Sequence, residues 1–175
     1  MNKLPGNYIA GFVDGEGCFS LKYRIDKKIN KGNGKMRQYF YWGVEFAIVL
    51  RADDFLILEQ IKTSLECGNI TNARRGEQVR YSVQNTRDVI NKVIPFFNKY
   101  QLRAKKSNDF ALWSEAVVII NKYKGGILNV KSGQKGFIKK NMSVKDSDRL
   151  LRIRDAMIQY KSERSANFKW GILKE

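Results

Sequence analysis

Apolar residues recur along the chain at two periods, two for strands and three to four for helices, and the switches between them outline the fold. Phe19, Leu21, Tyr23 and Ile25 alternate with Ser20, Lys22 and Arg24, the pattern of a strand with one apolar side and one polar, basic side. Phe40, Trp42, Val44, Phe46 and Ile48 predict a second, longer strand, and residues 26–38 between them, with Gly32, Asn33 and Gly34, predict a long basic hairpin loop. Ahead of the first strand, Asn7 is a good N-cap for a short helix over residues 8–13, which Gly15 and Gly17 would end.

A similar unit follows. Asp53 or Asp54 caps a helix to about residue 66, with Phe55, Leu58, Ile61 and Leu65 on one stripe and Gly68 as its stop. Strands over residues 70–75 and 79–84 turn at Gly76 and place Arg75, Arg80, Ser82 and Gln84 opposite the core. Helices are expected at 86–100, where Pro95 marks a kink or a boundary, at 107–122, and from 143 onward. The order predicts an α+β fold, an antiparallel sheet with helices on one face and its other, basic face left for a ligand. One domain is expected over residues 1–175, with a core at about 5–122 and a basic extension at about 123–175. Tyr39, Tyr41 and Trp170 are aromatic enough to stack on bases, but Trp42 and Trp113 fall on apolar stripes and are read as core.

Charge changes this picture. Lys and Arg number 33 against 17 Asp and Glu, a formal net charge of +16 that points to a polyanion. Residues 22–37 hold seven positives and one acid, and residues 116–145 hold seven positives and no acid, so two stretches dominate the field. No apolar run approaches the roughly 20 residues of a membrane span, and the N-terminus has no signal core, so a soluble, intracellular protein is expected, without a membrane partner. Cys18 and Cys67 lack disulfide or metal-ligand spacing and are expected as buried thiols. Histidine is absent, which removes histidine-based nucleases and Cys2His2 fingers and leaves carboxylates, lysines, metals and water for any hydrolysis.

The stretch Tyr8-Ile9-Ala10-Gly11-Phe12-Val13-Asp14-Gly15-Glu16-Gly17 carries the chemistry. Gly11 and Gly15, four apart, share one helix face, and with Ala10 they leave little side-chain bulk there. Another backbone can then approach closely, with Asp14 and Glu16 at the bottom of the contact. This run resembles the LAGLIDADG motif of homing endonucleases, and the order of elements is similar to that family's αββαββα core as far as about residue 122. The resemblance implies a metal-dependent endonuclease cutting double-stranded DNA, in which two motif helices pack together and the last acid of each binds divalent metal. Here that acid is Glu16, in place of the usual Asp, with the Gly15 carbonyl as a second ligand and Mg2+ as the expected metal. Asp14 is given a supporting role. A single motif copy implies a homodimer on a pseudo-palindromic site, with Tyr8, Ala10, Gly11, Asp14 and Gly15 at the seam.

The resemblance also implies a lysine near the scissile phosphate, for which Lys105 is favoured and Lys106 is close behind. Leu50 stands where some relatives place a solvent-positioning Gln. DNA recognition is expected on the open sheet face through Ser20, Lys22, Arg24, Arg75, Arg80, Ser82 and Gln84. Lys27, Lys28, Lys31, Lys35, Arg37 and Gln38 would extend the contacts, and Lys131, Lys135, Lys139 and Lys140 would grip phosphates. Intron or intein homing is the expected role, in a prokaryotic cytoplasm or in an organelle with an intron-bearing genome. The rivals are a maturase that binds intron RNA, a non-cutting DNA-binding regulator on the same fold, and a basic structural RNA-binding domain. The last gives no reason for the Gly-Phe-Val-Asp-Gly-Glu-Gly run.

Overall fold

The computed structural model describes residues 2–29, 32, 34, 36–123 and 142–167, with side chains described at all of these but 24–28, 37–40 and 159–167. Helix α1 (Gly6–Glu16) runs directly into strand β1 (Gly17–Ile29). It starts ahead of Asn7 because Pro5, at φ −58° and ψ 136°, already turns the chain, and the Ile9 amide bonds the Pro5 carbonyl at 3.2 Å. Asn7 therefore lies inside the first turn rather than at the cap. Gly15 is helical, and Gly17 ends the helix, its amide donating to the Val13 carbonyl. A Cβ at Gly17 would meet Val13 Cγ1 at 2.5 Å and the Val13 carbonyl oxygen at 2.8 Å, so helix passes into strand without a linker only with glycine there.

Strand β2 (Met36–Arg51) pairs with β1 antiparallel in unbroken register from Gly17↔Ile48 to Ile29↔Met36. The expected loop over 26–38 is thus much shorter. Backbone pairing continues where the apolar alternation has faded, since the ladder asks for amides and carbonyls rather than for a core face. Beyond a 3-10 turn at Ala52–Asp54, α2 (Phe55–Leu65) buries Leu58, Ile61 and Leu65, while Phe55 is 41% exposed. Neither aspartate caps α2 through its side chain; Asp53 instead accepts from the Arg51 guanidinium at 2.9 Å. The helix ends on Glu66 in the left-handed region, ahead of Gly68, where a Cβ would fall 2.5 Å from the Tyr81 ring.

Strands β3 (Asn69–Ala73) and β4 (Gln78–Val83) are joined through a 3-10 turn at Arg74–Gly76, so Arg75 leaves the strand and sits in the turn at φ 55°. Helix α3 (Thr86–Asp88) passes through a π-helical turn, Val89–Val93, into α4 (Ile94–Lys99). Pro95 explains the wide turn: it offers no N–H to the preceding turn, and its ring needs the extra room. Helix α5 (Lys106–Lys122) follows.

The sheet order is β1-β2-β4-β3, antiparallel throughout. Phe19, Val44, Phe46, Ile48, Val79, Tyr81 and Val83 form its buried face. Phe19 centres an aromatic cluster, 5.2 Å from Phe46, 5.9 Å from Phe97 and 5.1 Å from Trp113 between ring centroids, tying β1 to α4 and α5. Such pairs add about 0.5–1.5 kcal/mol each beyond area burial. Trp113 is fully buried and its indole N–H donates to the Ser20 carbonyl at 3.1 Å. Trp42 is only half-buried, 4.9 Å from Tyr23, because its place in the hairpin lies beyond the helices' cover. Cys67 is buried, but Cys18, one residue from Phe19, takes the opposite side of β1 and is exposed.

The chain divides into two compact units, Met1–Asn121 and Lys122–Glu175. In the second, α6 (Val144–Asn167) buries Leu150, Ile153 and Met157, and its start is fixed by Ser143 Oγ, which accepts from the Asp146 amide at 3.1 Å. No helix among the described residues is long and apolar enough to cross a membrane. Lys31, Lys35, Lys131, Lys135, Lys139, Lys140 and Trp170 lie outside the described residues.

Candidate active site and nucleic-acid face

Helix α1 has two unlike sides. Ile9, Ala10 and Val13 are buried against the rest of the chain, whereas Tyr8 is 51% exposed and Gly11 and Gly15 are exposed. A Cβ built on Gly11 or Gly15 would meet nothing within 4 Å. Residues 8, 11, 12 and 15 share this open face by helical spacing, and the Tyr8 and Phe12 rings stack there at 6.3 Å. Ala10 is on the other side, since one step along a helix turns a side chain by about 100°.

The open face ends on acids and carbonyls. Asp14 Oδ2 accepts from the Arg103 amide at 2.8 Å, while Asp14 Oδ1 is buried without a hydrogen-bond partner among the described residues. Lys106, the first residue of α5, donates from Nζ to the Asp14 carbonyl at 2.9 Å and to the Gly15 carbonyl at 2.5 Å. A cation on the last carbonyls of a helix meets both the unpaired acceptors and the negative end of the helix dipole. Lys105, one residue earlier, is exposed in the turn before α5. Glu16 is exposed at the last position of α1, with no hydrogen bond or ion pair among the described residues. Its carboxylate and the Gly15 carbonyl are hard oxygen donors suited to Mg2+ or Ca2+. A carbonyl has two lone pairs, so the Lys106 bond does not exhaust Gly15. Among the described residues no three His, Cys, Asp or Glu are grouped to hold a metal. The donors therefore fit a hard cation in kind, but in one chain they make only part of a shell. Leu50 is half-buried near the end of β2, opposite Val79.

The sheet's other face brings Ser20, Lys22, Arg80, Ser82 and Gln84 together, as their alternation predicts. Ala47 stands opposite both Cys18 and Ser82, and Thr71 stands opposite Arg80. Near the β3–β4 edge, Asn69, Thr71, Arg80, Ser82, Gln84 and Asn85 line a groove of about 450 Å³. Arg24, Lys27, Lys28, Arg37 and Gln38 are placed by the hairpin register alone, Arg24 opposite Tyr41, Lys27 opposite Gln38 and Lys28 opposite Arg37. Arg75 is exposed at the turn. Asn69, Thr71 and Glu45 escaped the reading of the sequence. The first two lie on a five-residue strand too short to show a period, and Glu45 reads in sequence as a solvated acid.

Comparisons with known proteins point to one family. A family model described as LAGLIDADG endonuclease matches residues 9–117. "Probable intron-encoded endonuclease 2" of Neurospora crassa is 29% identical over 119 residues, 67% of this chain and 23% of that protein. "Probable intron-encoded endonuclease Cox1-I1b" of Schizosaccharomyces pombe is 29% identical over 113 residues, 65% of this chain and 27% of that protein. Among solved structures, the I-SmaMI LAGLIDADG homing endonuclease bound to cleaved DNA is similar with a TM-score of 0.66 and 26% identity, covering 92% of this chain and 47% of that one. I-SmaMI bound to uncleaved DNA in the presence of calcium ions gives 0.65 and 26%, covering 90% and 46%. The chain thus spans about a quarter of these curated relatives and just under half of the solved ones.

Proposed function

The chain belongs to the LAGLIDADG endonuclease family, and from that premise we propose that it cuts both strands of a long, specific DNA site in intron or intein homing. The observation that carries this reading is Glu16, an exposed carboxylate with no partner among the described residues, at the foot of a helix face bare enough to admit another backbone. A second motif helix packs on Tyr8, Gly11, Phe12 and Gly15, and a second copy of this chain supplies it, giving a two-fold dimer whose target is pseudo-palindromic. Assembly brings two Glu16 carboxylates and two Gly15 carbonyls together and so adds the donors that one chain lacks.

Glu16 and the Gly15 carbonyl would hold a divalent metal, Mg2+ in the cell, which when bound would supply Lewis acidity and charge neutralisation at the phosphate. Lys106 locks the end of α1 and so fixes where Glu16 points. Its contact with the Gly15 carbonyl, next to Glu16 in the chain, also makes it the better placed of the two lysines to stabilise negative charge at the scissile phosphate, with Lys105 an outer phosphate contact. Asp14 ties the turn that carries Lys105 and leads into Lys106 to α1 through the Arg103 amide. Lys22, Arg80, Ser82 and Gln84 read base edges in the major groove, where side chains two apart on adjacent strands follow the duplex. The basic hairpin and the lysines of residues 131–140 grip phosphates.

The test is selection of duplexes from a random library in Ca2+, followed by Mg2+ and mapping of breaks. A pseudo-palindrome cut near its centre on both strands is expected. Specific binding without breaks would instead favour a DNA-binding regulator, and failure to enrich any duplex would favour an intron-RNA maturase.

A further inference from the structure

Glu45 is 3% exposed, although it stands on the face of the sheet turned away from the core. Its neighbours on that side of β2 are Gly43 and Ala47, too small to hold long side chains away from it. Lys22, the register partner of Gly43, reaches across from β1, and its Nζ donates to Glu45 Oε2 at 2.6 Å. From β4 and just beyond it, the Arg80 guanidinium and the Gln84 amide reach Oε1 at 2.9 Å and 2.8 Å. Burial alone would raise the pKa of this carboxyl, but the hydrogen bonds from Lys22, Arg80 and Gln84 outweigh it and hold the group at about 2. The Lys22 and Arg80 side chains remain 42% and 34% exposed, so part of each still faces solvent.

Long side chains on a binding face normally sample many rotamers, and ordering them on contact lowers affinity. Here three such chains, from β1, from β4 and from just past its end, are already gathered on one carboxylate of β2. Two cations around one anion leave a local charge of one rather than two, which weakens the attraction for any phosphate without removing the donors that read bases.

We propose that Glu45 is a positioning residue for target recognition: it holds Lys22, Arg80 and Gln84 in the arrangement that meets the correct base edges, and it suppresses indiscriminate phosphate binding by the same patch. The inference rests on the reading of this face as the DNA-binding one. The favourable contacts and the suppression of wrong ones then come from one group, a common way of making discrimination exceed affinity.

The test compares wild type, Glu45→Gln and Glu45→Asp in Ca2+ across a salt series, on a duplex enriched from a random library by the wild type and on a scrambled duplex of the same composition. Glu45→Gln should tighten binding to the scrambled duplex and steepen its log–log salt slope by up to about 0.9, the value of one more phosphate contact. It should weaken binding to the enriched duplex, so that discrimination falls about tenfold, the scale of one misread base pair. Glu45→Asp keeps the charge and shortens the reach, so the salt slope should stay at the wild-type value while discrimination falls by a smaller factor. A group that merely supports the fold would weaken both duplexes equally, and an unchanged discrimination ratio in either variant overturns the proposal. If Glu45→Gln does not fold, the Glu45→Asp ratio decides. A wild type that enriches no duplex overturns the DNA reading and this inference with it, whereas a failure confined to the variants leaves that reading standing.

Discussion

The outer side of α1 and the outer side of the sheet both face solvent, yet they are built in opposite ways. Along α1, Gly11 and Gly15 leave open backbone beside the stacked Tyr8 and Phe12 rings, with nothing within 4 Å of a Cβ at either glycine. On the sheet, side chains are present and already satisfied, with Lys22, Arg80 and Gln84 paired to a buried Glu45. A helix–helix seam, as proposed for α1, needs one invariant geometry, which bare backbone provides through close approach. A sheet that reads DNA, as proposed for this face, must choose among many sequences, which requires long donors held in place.

The sharpest way to break the comparison is Gly11→Leu. Within the chain it should be tolerated or slightly stabilising, by roughly 0.5–1 kcal/mol, because leucine favours a helix interior over glycine. Between chains it should abolish close packing of two α1 helices, and cutting with it. Sedimentation and thermal unfolding would show the two signs together; a Gly11→Leu protein that still dimerises would remove α1 from the seam. Next in size is Lys106→Met, which strips a cation from the α1 terminal carbonyls. A loss of about 1–2 kcal/mol in denaturant stability is expected, with cutting reduced far more than DNA binding.

Much of this was visible in the residues and some was not. Phe19, Val44, Phe46 and Ile48 show their strands because apolar alternation is a local signal, and the α1 run shows its site because the glycines and acids are adjacent. Lys106 is legible only as a lysine before a helix. Its role arises from carbonyls 91 and 92 residues earlier in the chain, a contact that no local pattern encodes. Glu45 was missed for the same reason, since its burial is made by Lys22, 23 residues before it, and Gln84, 39 residues after it. Cys18, expected as a buried thiol, is exposed, because its parity opposite Phe19 on β1 outweighs the general tendency of free cysteines to be buried. The hairpin strands run past their apolar alternation, into the loop expected over 26–38, because residues 26–29 and 36–38 pair through backbone.

Lys105→Met tests the division of labour between neighbouring lysines. Lys105 is exposed, so stability should stay within about 0.5 kcal/mol of wild type, while the salt dependence of DNA binding flattens by the equivalent of about one phosphate contact. An unfolding penalty as large as that of Lys106→Met would show that the two do not differ in role. The last effect is confined to acid. The Glu45 pKa is lowered from 4.5 to about 2 on folding, so its contribution to stability is fully present above pH 4.5 and is lost as pH falls through about 2. Glu45→Gln should therefore flatten the stability curve within that window alone; an acid limb unchanged by the substitution would mean that the Lys22–Glu45–Arg80 cluster does not hold the carboxylate in solution.

The most direct test of the central claim places an enriched site in a supercoiled plasmid and follows its form in Mg2+ with wild type and Glu16→Gln. Wild type should linearise the plasmid by breaking both strands within the site, and Glu16→Gln should protect the same site while leaving the plasmid supercoiled. Linearisation by Glu16→Gln at the wild-type rate would contradict the assignment of Glu16 as the acid that makes this fold a nuclease.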